Sequence, residues 1–190
     1  RAVDDYDFHT IATELHNFCA VDLSAFYFDI RKDSIYCDSA GTLRRRAART
    51  VMAEVFSFLT AWLAPITCFT VEEAWLARPG DMPDGKAESV HLRLYPTIPP
   101  AWLDAALGEK WKTVRALRRV VTGALELERA EKRIGSSLQA APHVHVSPEY
   151  LKAMDGLDLV EICITSGGDL VAGEAPAGAF TLPDVPGVAV

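Results

Sequence analysis

The chain has 190 residues, a formal net charge of −7, and 49% hydrophobic and 24% charged residues, a globular rather than disordered composition. Its apolar runs stop well short of the ~20 residues of a membrane span, and the opening RAVDDYDFHT is acidic and amphipathic without the apolar core of a secretory leader. No membrane partner is expected, and the widely spaced Cys19, Cys37, Cys68 and Cys163, which form no CxxC, are expected to be reduced, mostly buried thiols of a cytoplasmic chain rather than a disulfide framework or zinc site.

Phe8, Ile11, Ala12, Leu15 and Phe18 recur at helical spacing and predict an amphipathic helix from about Asp4 to Cys19. The aromatic segment VDLSAFYFDIRKDSIY has no regular period and reads as helix or turn. Met52, Val55, Phe56, Leu59 and Leu63 then predict a long helix from about Thr42 that Pro65 stops, because proline lacks the N–H and clashes with the preceding turn. In FTVEEAWLARPG, Thr70 is the expected N-cap, Glu73 holds the capping-box position, and Pro79-Gly80 closes the helix.

Gly80 to Pro100 is rich in Pro, Gly and Asp and reads as a loop. Pro99-Pro100 leads into a long helical stretch, broken or bent near Gly108, that runs towards Gly135, the expected C-cap. Beyond Gly135 the period changes: HVHVS reads as strand, PEYLKAM as short helix, DLVEICITSG as strand, and the Gly/Pro/Ala-rich tail as part strand, part loop. The expected fold is mainly α, a helical bundle over residues 1–135 followed by a small α/β subdomain over residues 136–190.

Net charge hides a strong polarity. Residues 31–49 and 110–133 together hold 14 of the 19 basic residues and 5 of the 26 acidic ones, so these windows carry +9 and the remainder −16. Within GTLRRRAART, Arg44, Arg45, Arg46 and Arg49 crowd a helix start, where positive charge opposes the macrodipole. They need either internal acids, such as Asp4, Asp5 and Asp7, or an external anion. On the long helix, Trp111, Val114, Leu117, Val121, Ala124 and Leu125 form one stripe expected to pack on the bundle. Lys112, Arg115, Arg119 and Arg133 share a neighbouring face, with Arg118 and Arg129 at its margins. That row suits a phosphate backbone, or equally a solvated face with intrahelical ion pairs.

Other chemistry is sparse. His9 and His16 fit hydrogen-bonded structural roles, and His143 and His145 on one strand face make a weak metal site without nearby Cys or a matched carboxylate. Trp62 and Trp75 sit among apolar neighbours and read as core rather than base-stacking residues. No Ser/His/Asp order, phosphate-binding glycine loop or nucleophile elbow is present.

YDFHTIATELHNFCAVDLSAFYFDIRKDSIYCD, LRRRAARTVM, LAPITCFTVEEAW and ERAEKRIGSSLQA follow one another in an order and spacing that resembles the C-terminal region of the bacterial isoleucyl-tRNA synthetases, a class I synthetase family. The block from Asp22-Leu23-Ser24 through Tyr27-Phe28-Asp29 to Lys32-Asp33 separates it from the valyl and leucyl relatives. Arg at position 1 fits a piece cut from a longer chain. The resemblance implies a helical anticodon-binding domain and a small α/β part, with the tRNA(Ile) anticodon stem-loop and the remainder of the synthetase chain as partners, in a monomer. In the family a separate catalytic domain joins isoleucine to tRNA using ATP and magnesium. The HIGH and KMSKS signatures and the C-terminal cysteine-rich zinc motif are absent here, so no catalytic residue, metal or cofactor is expected in this piece.

An anticodon loop offers phosphates and unstacked bases. Lys32, Arg44, Arg45, Arg115, Arg119 and Arg133 are the phosphate candidates, with Lys132 beside Arg133 where helix gives way to loop. The alternative is a helical protein-interaction or scaffold domain whose arginines satisfy internal carboxylates.

Overall fold

The computed structural model describes residues 2–80 and 87–190, so residues 81–86 of the expected Gly80–Pro100 loop lie outside the described residues. The fold is mainly α with a small α/β part, as the sequence implies. It divides into two compact units, Arg1–Ile30 with Leu103–Val190, and Arg31–Trp102.

In the first unit, α1 spans Phe8–Asn17. It starts later than Asp4 because Asp7 is the cap, its carboxylate accepting from the Thr10 N–H (3.1 Å) and hydroxyl (2.6 Å). The chain then continues as a π-helix over Phe18–Phe28. A coil closed by i→i+5 bonds has a period the 3.6-residue template cannot detect, which explains the irregular aromatic pattern.

The long helix α5 spans Ala105–Ala130 without a break. Asp104 caps it by accepting from the Leu107 N–H (2.8 Å), and the Gly108 N–H donates to the Asp104 carbonyl (2.9 Å). Gly108 therefore lies in the first turn and bends nothing. Val114, Leu117, Val120, Val121, Ala124 and Leu125 are buried and Trp111 is half-buried. Val114, Leu117, Val120, Val121 and Leu125 pack on the α/β elements, in one core with Val144, Val146, Tyr150, Met154, Ile162, Val185 and Val188, while Trp111 also meets Phe26 of the π-helix edge-on (centroids 5.9 Å apart). The expected boundary at residue 135 thus falls inside a unit, because α5 supplies much of the core of the C-terminal α/β elements.

The α/β elements are β1 (His143–Val146), α6 (Pro148–Ala153), α7 (Leu159–Cys163), β2 (Asp169–Ala172) and β3 (Val188–Ala189). The sheet order is β2-β1-β3, with β1 parallel to β2 and antiparallel to β3 in the register His143↔Asp169 and His145↔Ala189. DLVEICITSG forms α7, not a strand. Asp158 accepts from the Val160 (2.9 Å) and Glu161 (3.4 Å) N–H groups, which starts a helical turn that buries Leu159, Ile162 and Cys163. A short apolar run carries no period that separates strand from helix. At the end of α5 the C-cap is Glu131, followed by Lys132 in the left-handed conformation at φ 59°, so Gly135 is not the cap.

In the second unit, α2 spans Lys32–Tyr36, α3 Leu43–Leu63 and α4 Cys68–Leu76. The Thr42 start and the stop ahead of Pro65 match expectation. Helix α4 opens with Thr67 at the N-cap, so Thr70 lies inside it and makes no capping box. Trp75, Val71, Ala64 and Val90 form the core, with Phe56, Leu63 and Ala87 against it. The described part of the following loop is pinned: Glu72 accepts from the Val90 N–H (2.8 Å) and Ser89 hydroxyl (3.0 Å), and Arg93 donates to the Ser57 hydroxyl (2.7 Å) and carbonyl (2.9 Å).

Only Cys163 is buried, its thiol pushed up to about 12 by desolvation; Cys37 and Cys68 are exposed and Cys19 half-buried, which corrects the expectation of mostly buried thiols. Among the described residues no helix is long and apolar enough to cross a membrane.

Candidate nucleic-acid interface

The N-terminal turn of α3 places its arginines by spacing alone. Arg45 and Arg49 are four residues apart, and Arg46 and Arg49 three, so they are neighbours on the helix surface. With Tyr36 and Arg78 they line a groove of about 890 Å³ in the second unit, whose floor includes Met52 and Phe56. Glu54 is the acidic residue in the lining.

Arg46 and Arg49 are exposed, and neither has an ion-pair partner among the described residues. Arg45 donates from Nη1 to the Asp38 carbonyl (2.7 Å), a neutral acceptor, and its buried Nε has no acceptor among the described residues. Arg78 lies over Trp75, 3.7 Å from the ring centroid, and donates to the Trp75 (2.5 Å) and Ala87 (3.0 Å) carbonyls. Arg45, Arg46 and Arg49 share the lining within two turns of one helix, so their like charges repel, and an entering anion relieves that repulsion.

Arg44 turns away from this role. Its fork closes on Asp38, with Nε to Oδ2 and Nη2 to Oδ1 both at 2.8 Å, which supplies an internal acid for part of the GTLRRRAART cluster. The hydrogen bond from Arg44 holds the Asp38 carboxyl below its ordinary value of 3.8, with the charges of Arg44 and Arg45 adding to it. A carboxyl with a depressed folded value stabilises fully above its unfolded value, and that contribution disappears as pH falls through the lower folded value. Arg44→Gln is expected to move the Asp38 titration, followed by side-chain carboxyl NMR, back up towards 3.8. An unmoved titration contradicts the assignment.

In the first unit, Arg115 and Arg119 come together with Lys112 and Arg118 around a second groove of about 440 Å³. Every one of those cations has a carboxylate: Arg115 with Asp22 (2.5 Å), Arg119 with Asp184 (2.6 Å), Lys112 with Glu109 (2.7 Å) and Arg118 with Asp29 (3.5 Å). Arg115 and Arg118 also stack on Phe26, 4.9 and 5.6 Å from its centroid. Arg133 is held by Glu128 and Glu131 at the end of α5, beside the exposed Lys132. Lys32 is exposed at the first position of α2, outside the groove lining.

The groove therefore brings together one of the seven sequence candidates, Arg45, and adds Arg46, Arg49, Arg78 and Tyr36. Helical spacing from Arg45 could have selected Arg49, and from Arg49 it could have selected Arg46; nothing local in the sequence points to Arg78. Trp75 is fully buried, and Trp62 packs edge-on against Phe58 with centroids 5.4 Å apart.

Residues 1–145 match the family described as the anticodon-binding domain of tRNA ligase. The chain is 55% identical over 188 residues to the isoleucine–tRNA ligase of Brucella abortus biovar 1 (strain 9-941), 53% to that of Agrobacterium fabrum (strain C58), and 51% over 191 residues to that of Bartonella henselae (strain Houston 1). These matches cover 98–100% of this chain and 19% of each relative, so the chain spans about a fifth of their length. The chain belongs to the anticodon-binding domain family of tRNA ligases.

Proposed function

We propose that the chain holds the anticodon stem-loop of tRNA(Ile) as the RNA-gripping part of an isoleucine–tRNA ligase, whose other domains join isoleucine to the tRNA with ATP and magnesium. The observation that carries the reading is the pair Arg46 and Arg49, exposed and without an ion-pair partner among the described residues, in a groove shared with Arg45. For these two guanidinium groups no ion pair among the described residues has to be displaced before a phosphate binds bidentately. Arg115, Arg119 and Arg133 rank behind, since RNA must first displace their carboxylates. The scaffold alternative draws its support from those same pairs. The chain itself catalyses nothing in this reading and works as a monomer in the cytoplasm.

The test is titration of the chain with tRNA(Ile), and with a tRNA bearing another anticodon, at two salt concentrations. The affinity is expected to favour tRNA(Ile) and to fall by roughly 0.7–0.9 logarithmic units per phosphate neutralised for each tenfold rise in salt. Equal, salt-insensitive binding to both contradicts the reading.

A further inference from the structure

Tyr36 is a large aromatic left outside the core, 81% exposed at the C-terminal end of α2. Its ring makes no aromatic or cation contact among the described residues. A lone exposed tyrosine is ordinary. This one lines the same groove as Arg45, Arg46 and Arg49.

The residues after it are also tied down. The Cys37 and Asp38 N–H groups donate to the Asp33 carbonyl (2.8 and 3.3 Å). Asp38 then accepts both bonds of the Arg44 fork and, through its carbonyl, one from Arg45. Five hydrogen bonds thus anchor the corner between α2 and α3 next to the ring. An exposed aromatic face on a backbone corner held by hydrogen bonds, beside guanidinium groups without ion-pair partners among the described residues, is what an unpaired nucleotide requires: a plane for the base and forks for the phosphates.

We propose that Tyr36 is the stacking platform for an unpaired nucleobase of the bound RNA, with Arg46 and Arg49 taking the neighbouring phosphodiesters; this rests on the RNA-binding reading above. Every base has a π-face, so stacking there favours single-stranded loop over duplex without selecting the anticodon sequence.

The experiment compares Tyr36→Ala, Tyr36→Phe and the unchanged chain for binding to two probes, the anticodon hairpin of tRNA(Ile) and a blunt duplex of its stem. Tyr36→Ala is expected to weaken hairpin binding by about 5- to 100-fold and leave duplex binding unchanged. Tyr36→Phe is expected to retain the hairpin affinity, and the exposed site to leave the far-UV circular dichroism unaltered in both variants. Hairpin affinity unchanged in Tyr36→Ala overturns the stacking role while RNA binding stands. Equal losses on hairpin and duplex overturn it too, since the ring then reads no unpaired base. A chain that binds neither probe before substitution overturns both this inference and the RNA-binding reading.

Discussion

Trp75→Ala is expected to cost the Arg31–Trp102 unit about 3–5 kcal/mol, the usual range for truncating a fully buried tryptophan. The unit's buried apolar cluster is small, consisting of Ala64, Val71, Trp75 and Val90, and Trp75 is its largest member. Its Nε1 donates to the Ala87 carbonyl (3.0 Å), which ties α4 to the segment beyond it. Arg78 and Arg93 lie over the ring at 3.7 and 4.3 Å from the centroid. Alanine therefore removes the core volume, the indole donor and the aromatic face for two cations together. Urea unfolding followed by a probe in this unit reads the loss as a lower midpoint. The core around α5 does not contain Trp75, so amides there are expected to keep their hydrogen-exchange protection. An unchanged midpoint contradicts a core built around this indole.

Arg46→Glu combined with Arg49→Glu is expected to weaken RNA binding by about 100-fold or more. A hydrogen bond to a charged group contributes about 1.5–3 kcal/mol, and each reversal also places a carboxylate where a phosphate must sit. The salt dependence becomes shallower by roughly 0.7–0.9 logarithmic units for each phosphate that is no longer neutralised. Stability is expected to hold, because both side chains are exposed and neither has an ion-pair partner among the described residues. Loss of folding with loss of binding would return these arginines to a structural role.

Helix α3 was legible in the sequence because its apolar residues repeat at 3.6 and Pro65 ends the repeat. The buried stripe of α5 was legible for the same reason, but its partner was not: a periodic face says that something covers it, never what. The π-helix at Phe18–Phe28 and the short α7 were hidden by a non-standard period and by shortness. The site divides along a similar line. The Arg44–Arg49 cluster is visible as a charge run. Which of its members stay uncompensated depends on Asp38 choosing Arg44. Arg115 finds Asp22 across 93 positions of chain and Arg119 finds Asp184 across 65, pairings that charge counting cannot anticipate.

At the centre of the RNA-binding reading, the stem-loop meets the groove beside α3 and not the paired arginines of α5. The most direct measurement sets Arg46→Glu/Arg49→Glu beside Arg115→Glu/Arg119→Glu and titrates each with the tRNA(Ile) anticodon hairpin at one salt concentration. Affinity is expected to collapse in the first pair. The second pair is expected to keep near-normal affinity with a small loss of stability, as partly exposed ion pairs warrant. The reverse pattern, with affinity lost only in the second pair, would contradict that reading and place the RNA on α5.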